Sequence, residues 1–493
     1  MLHVVQRPLH VAHTARRWAS EWVRAHPFVT LGAAGFVVAS VIVIAGGRIG
    51  PVRTTIPLTS WLGLLSRNGE QPGDYWASSI MLAGLIALVV LWLVAVRINR
   101  PQRCTEATVW WLAAAWGTPF VLGPPLLSND VYSYAAQGLM ARRGFDPYAY
   151  GPSILGNTKA LAAVDPSWRS VTSPYGPLAG ILEHLAVAIS GGSALGAVIV
   201  FRAVAVGSAI AIGLLAADLA GPRRVQALTM TVLNPLLLVH VVSAAHLEGI
   251  MCAILLGSLV AASKRHWALA IVLGAMAGAI KAPGYLAMIA VIVVHGFDKP
   301  GHIAWRLVAR DTALAALCLA GSTLLVPNGL GWVNGLNTPS LGHTPWAPAS
   351  ILSSLLTPLV ASASFDDLAA AGRITTTLVA VCIVIYLLAT ARERSLNRTV
   401  GYGLLALALS GPVVYPWYML WGIVCLVPTA RVARLDWLVL ASGLFCVIAP
   451  PGFGSNTTVM FATIEVVLAL AIISPRVLAR RRAAHAGVRG APV

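Results

Sequence analysis

An all-α polytopic membrane protein, with about 14 transmembrane helices and interfacial helices in long outer loops, is the fold this sequence predicts. Three observations predict it. Of 493 residues, 58% are hydrophobic and only 10% are charged, against roughly 25% charged in soluble domains. Apolar runs near the length of a bilayer span recur along the chain. The net charge of +17 is sorted by the alternation of those runs.

Taken in order, the runs place spans at 28–46, 79–97, 108–126, 194–217, 227–245, 249–262, 267–280, 284–297, 311–326, 374–390, 400–414, 417–429, 436–449 and 457–473. An even number puts both termini on one side. The connections on that side carry 24 Lys and Arg against 7 Asp and Glu, while the opposite side carries 9 of each. Arg202 and Glu465 fall inside spans. The whole excess charge is thus a positive-inside bias, which makes the tails 1–27 and 474–493 cytoplasmic. The first span, following four Arg residues, reads as a retained signal-anchor rather than a cleaved signal peptide. The same sorting leaves no basic surface for nucleic acid. Of the six cysteines, Cys104 is cytoplasmic and Cys252, Cys318, Cys382, Cys425 and Cys446 fall in spans, so neither a disulfide framework nor a zinc site is expected.

The cytoplasmic loops are short, and residues 1–493 read as one integral membrane domain. Chemistry must then come from the outer loops, 127–193, 327–373 and the shorter 47–78, and from helix ends. In the first of these, Ser128 or Asn129 caps a short helix over 130–142 that stops at Gly144. Spacings of four and three put Asp130, Tyr134 and Gln137 on one face of it. Five prolines between 147 and 177 then break the chain. After Pro177, Leu178, Ile181, Leu182, Leu185 and Ile189 form an apolar stripe with Glu183 and His184 on another face, as in a helix lying in the membrane interface. The second loop, rich in Asn, Pro and Trp, offers a further interfacial stretch at 350–360.

Four segments can carry chemistry. In "SNDVYSYAAQG" (128–138), Asp130 stands at a lipid–water boundary, where partial desolvation raises a carboxylate's basicity; the alternative is a first-turn charge favoured by the helix dipole. In "SAAHLEG" (243–249), His246 and Glu248 lie at the outer membrane edge between two spans, as functional groups or as the polar residues of a tight turn. In "GAIKAPGY" (278–285), Lys281 can hold a lipid phosphate as a point charge or snorkel to the headgroups. In "VVYPWYMLW" (413–421), Tyr415, Trp417 and Tyr418 are interface anchors or a sugar-stacking wall; the same alternatives apply to Tyr175 in "SPYG" (173–176). Arg202, inside a span, must pair or face a cavity. No P-loop, strand-linked GxGxxG, HExxH or DxD motif is present, so a nucleotide-driven pump and a soluble nucleotide-sugar transferase are not expected.

Together, "NDVYSYAAQG…GFDPY", "SPYGPL", "NPLLLVHVVSAAHLEG" and "GAMAGAIKAPGY" resemble the polyprenol-phosphate-mannose-dependent α-(1→6)-mannopyranosyltransferases of mycobacteria and corynebacteria, which are clan C membrane glycosyltransferases. The likeness runs from about residue 110 to 430 and is strongest over 128–290. One position departs from it: Leu247 stands between His246 and Glu248, where the family favours a polar residue. The resemblance implies a donor, polyprenyl-phosphate mannose, in the outer leaflet and a lipid-anchored α-(1→6)-mannan acceptor, the core of lipomannan and lipoarabinomannan. It also implies inversion by single displacement on the extracytoplasmic side of the plasma membrane; the residues' own chemistry fits that, with Asp130 as general base, Lys281 as partner of the leaving phosphate, and no cofactor or metal needed. The competing class is a transporter or lipid flippase, suggested by the many spans, Gly/Pro-interrupted helices and Arg202. A third reading keeps the fold but changes the lipid-linked sugar to arabinose or glucose.

Overall fold

The computed structural model describes residues 25–49, 60–61, 65–66, 76–98, 104–297, 303–336, 338, 344–360, 364–429 and 435–447. Helices dominate. The strands among the described residues are a two-residue antiparallel pair, Ser60–Trp61 with Leu65–Ser66. Helical segments overlap every predicted span from 28–46 to 436–449. The span at 457–473, Glu465, the tail 474–493 and residues 1–24 lie outside the described residues.

The all-helical class holds, and among the described residues helix length and apolarity by themselves pick out fewer segments than the 14 predicted. Among the described residues five stretches are long and apolar enough to cross a membrane: Pro27–Gly47, Ser79–Ile98, Ala194–Thr231, Trp305–Leu324 and Phe365–Ala389. A sixth arises if Leu237–Ser243 and Glu248–Ser263, bent by 110°, are one broken span. Among the described residues, several other predicted spans are helices of lesser length. Trp267–Ile280 has 14 residues, about 21 Å of helix against the ~30 Å of hydrocarbon.

The stretch Ala194–Thr231 is not straight. Gly221 has φ +56° and turns the chain, and the side chains of Leu228 and Val232 lie against Gly213. A continuous helix would hold those positions more than ~20 Å apart. The two arms predicted as separate spans are therefore the sides of a hairpin. The second arm is interrupted at Asn234, whose side chain accepts from Leu236 N at 2.9 Å and donates to Ser442 at 3.1 Å, just before Pro235.

Long helices show the arrangement expected in lipid, where apolar side chains gain nothing by turning inward and small residues let backbones approach. On Phe365–Ala389, Ile374, Leu378, Val379 and Ile385 are exposed. On Ala194–Ala220 the buried positions include Ala205, Ala209, Ala216 and Ala217, while Ile199, Ile210 and Leu214 face outward. The short helix Pro177–Ile189 follows the same rule. Leu185 and Ile189 of the apolar stripe are exposed, and Glu183 is buried. Its neighbour is Asp130–Arg142: a Cβ on Gly138 would collide with the backbone carbonyl of Glu183. Gly138 thus allows the close crossing that holds the helix carrying Asp130 in place.

Candidate active site

Asp130 opens the Asp130–Arg142 helix, with its backbone N–H held by Ser128 Oγ at 3.1 Å and Asn129 in the cap position without a side-chain bond. The preceding turn includes Leu127 at φ +61°, a costly conformation for a side chain of that size. The predicted shared face is present. Asp130, Tyr134 and Gln137 line one cavity of about 430 Å³. That volume lies within the ~300–1,000 Å³ of small-molecule sites.

The opposite wall comes from two short junctions. Lys281 ends Trp267–Ile280, and Gly176 N donates to Ile280 O at 3.0 Å, tying the "SPYG" loop to that junction. Gly176 packs so closely on Ala279 that a Cβ there would collide with its carbonyl. This link sets Tyr175 beside Lys281, whose ammonium lies 5.1 Å from the Tyr175 ring centroid. Tyr418 and Trp421 stand at 4.6 and 5.6 Å from the same ammonium, so three rings surround the charge. Tyr134 and Tyr175 share a hydroxyl–hydroxyl bond of 3.1 Å, and Ser173 Oγ donates to Gln137 Oε1 at 3.1 Å.

Asp130, Tyr134, Tyr175, Lys281, Tyr415 and Tyr418 all contribute to the cavity wall. His246, Glu248 and Trp417 are buried and form a layer that contacts it. Lys281 is ion-paired with Glu248, so neither is a lone charge. His246 stacks on Trp417 at 4.0 Å, and Trp417 stacks on Tyr415 at 4.6 Å. These aromatics therefore pack at or behind the cavity wall rather than standing exposed. Trp168 and Thr172 also line the cavity and carried no sequence signal, because the loop that brings them there has no periodicity. His240 was legible as an ionisable residue in an apolar run. It is fully buried, 5.4 Å from the Trp417 ring.

The chain breaks at the layer behind the wall. Leu237–Ser243 is a π-helical turn, with Ala244 N bonded to Val239 O at 3.0 Å, and Ala245 has φ +57°. Such turns and strained residues concentrate at functional sites. Arg202 is elsewhere: its guanidinium donates to the carbonyls of Phe120, Val121 (3.0 Å) and Gly123 (3.1 Å) at the end of the Glu106–Leu122 helix. It faces backbone, not the cavity.

Burial in the partly closed cavity pushes the Asp130 carboxyl up to about 7, the nearby Glu248 charge adds to this, and Lys281 opposes it. A carboxyl poised near neutrality is suited to accept a proton. Burial, and then the Asp130 charge, raise the Tyr134 phenol well above its usual range. It stays a neutral hydrogen-bonding group. Among the described residues no three His, Cys, Asp or Glu side chains are grouped to hold a metal.

The family described as "Alpha-(1->6)-mannopyranosyltransferase, N-terminal domain" matches residues 30–296, more than half of the chain, and that described as "MptB C-terminal domain" matches residues 349–480. The chain is 27% identical over 422 residues to alpha-(1->6)-mannopyranosyltransferase A of Mycobacterium tuberculosis, covering 81% of this chain and 80% of the relative. It is 27% identical to a probable alpha-(1->6)-mannopyranosyltransferase of Mycolicibacterium smegmatis, covering 79% and 77%. Over a shorter stretch, 37% of this chain and 33% of the relative, it is 32% identical to alpha-(1->6)-mannopyranosyltransferase B of Corynebacterium glutamicum. No solved structure matches. The family sets aside the transporter reading, and Arg202, one of its motivations, is a helix cap. The chain belongs to the alpha-(1->6)-mannopyranosyltransferase family and is a membrane-bound glycosyltransferase.

Proposed function

We propose that the protein transfers mannose from polyprenyl-phosphate mannose, embedded in the outer leaflet, to a lipid-anchored α-(1→6)-mannan, with inversion at the anomeric carbon. The observation that carries this reading is that Asp130 and Lys281 line the same cavity. A base and a cation facing one space are what a single displacement of a phosphate leaving group requires. The acceptor O6 attacks C1 of mannose as its proton passes to Asp130. The C1–O bond to phosphate breaks, and its electron pair stays on the polyprenyl phosphate. Lys281, held by Glu248, supplies positive charge where the leaving oxygen gains negative charge. The stacked face of Tyr415 and the paired hydroxyls of Tyr134 and Tyr175 suit a sugar ring, which has apolar faces and polar edges.

The orientation follows from charge. With the termini cytoplasmic, the cavity-forming loop 127–193 is extracytoplasmic. No cofactor enters the reaction, since a monophosphate leaving group can be held by an ammonium alone. The test is transfer by purified protein from polyprenyl-phosphate mannose to a short α-(1→6)-mannoside, in excess chelator, with the new linkage read by NMR. An α-(1→6) product is expected. A product formed from another lipid-linked sugar but not from mannose would replace the donor, and a strict divalent-cation requirement would mean that the acidic residues are ligands.

A further inference from the structure

We propose that His246 is a positioning residue for Asp130, its Nε2–H engaging the carboxylate and keeping it ionised and aimed into the cavity. This rests on Asp130 being the base of the proposed reaction. His246 Nε2 lies 3.7 Å from Asp130 Oδ2. Among the described residues neither ring nitrogen of His246 has a hydrogen-bond partner, and the residue is buried to 1% exposure. A buried polar group without a partner is costly, so its retention calls for an explanation.

The surroundings hold the ring in place while leaving that nitrogen free. Trp417 covers one face at 4.0 Å, and the His246 peptide N–H is bonded to His240 O at 3.3 Å. The strained Ala245 and the 110° break turn His246 out of its helix toward the Asp130 side. The gap to Asp130 is ~0.7 Å longer than a formed bond, as is common before substrate closes a catalytic site. Tyr415 lines the cavity and stacks on Trp417. A sugar ring seated on Tyr415 therefore presses on the same stack that carries His246.

The other groups acting on Asp130 are Glu248 and Asp165, which favour its neutral form, and Lys281 and the Ser128 hydroxyl, which favour its charged form; the phenols of Tyr134, Tyr175, Tyr415 and Tyr418 also lie near its charge. Tyr134 shares its helix, and the hydroxyl of Tyr134 is engaged by Tyr175. None of these changes when His246 is replaced. A hydrogen bond to a carboxylate favours the charged form, so its removal moves the carboxyl further up, by about one unit.

The test uses two full-length variants. His246→Phe keeps the ring stacked on Trp417 and removes the donor. His246→Gln removes the ring and keeps an N–H. Two readouts are taken across pH. One is kcat/KM for mannose transfer. The other, made without substrate, is the Asp130 carboxyl band, isolated as the infrared difference between each protein and its Asp130→Asn counterpart. In the Phe variant the ascending limb and the infrared midpoint should both rise by about one pH unit. Activity at pH 7 then falls about fivefold and returns to wild-type level by about pH 9. The Gln variant should lie near wild type in both. If the Phe midpoint is unmoved, or Phe and Gln behave alike, His246 is a packing residue and the inference fails. If the infrared midpoints move as stated while the wild-type protein transfers no mannose at any pH, the pairing stands and the proposed function fails.

Discussion

Lys281 is ion-paired with Glu248, a residue of the next-but-one short helix junction that has no exposed surface. The pairing changes what a substitution at Lys281 can mean. Lys281→Ala strands a buried carboxylate, and breaking a buried pair from one side typically costs about 3–5 kcal/mol. The single variant should therefore unfold early in detergent, and its loss of activity is uninformative about phosphate. Lys281→Met combined with Glu248→Gln removes both charges. It should regain most of the thermal stability and still fail to use the lipid-phosphate donor at limiting concentration. A double variant with the wild-type donor KM would show that Lys281 does not hold the phosphate.

Arg202 donates to three carbonyls at the end of the Glu106–Leu122 helix. Arg202→Met leaves those carbonyls without donors in an apolar setting and should lower stability by about 2–4 kcal/mol. Arg202→Lys keeps the charge but not the reach of Nη1, which makes all three bonds, and should fall between the two. Unfolding in detergent measures this. Donor KM of the folded protein should be unchanged in both, since Arg202 does not line the cavity. A Met variant as stable as wild type would remove the capping role.

How much of this was legible in the sequence follows from the range of each interaction. The face shared by Asp130, Tyr134 and Gln137 is a local helical spacing, and it was readable. The stop at Gly144 was readable too, because φ +80° there is a glycine conformation. The Lys281–Glu248 pair, the stack of His246 on Trp417, and Arg202 reaching Phe120 join distant segments whose spacing carries no information. The apolar stripe of Pro177–Ile189 was readable, and Leu185 and Ile189 of it are exposed; the burial of Glu183 was not, because it depends on the crossing with Asp130–Arg142. Hydropathy finds apolar helices, but it does not show which of them, such as the 14-residue Trp267–Ile280, make a full crossing.

Orientation can be checked at exposed positions on either side of the charge divide. Ser153 lies in the loop 127–193, and Ser395 lies in the Arg-rich connection before Leu396–Ser410; both are exposed. In whole cells, a cysteine at Ser153 should react with a membrane-impermeant thiol reagent and one at Ser395 should not. The native cysteines set the background. Labelling at Ser395 alone would reverse the orientation.

The central claim is that Asp130 takes the acceptor proton. Asn has nearly the shape of Asp and cannot accept a proton, so Asp130→Asn isolates the base from the cap. The most direct measurement is the rate of mannose transfer from polyprenyl-phosphate mannose to an α-(1→6)-mannoside, by purified wild-type and Asn proteins, across pH. With the carboxyl raised to about 7, the base form is lost as pH falls through 7. Wild-type kcat/KM should therefore rise with pH to a plateau above that value. The Asn protein should bind donor and unfold like wild type, while its rate drops by about 10²–10⁴-fold and its ascending limb disappears. Turnover by the Asn protein within a few-fold of wild type, with the same pH limb, would contradict the account.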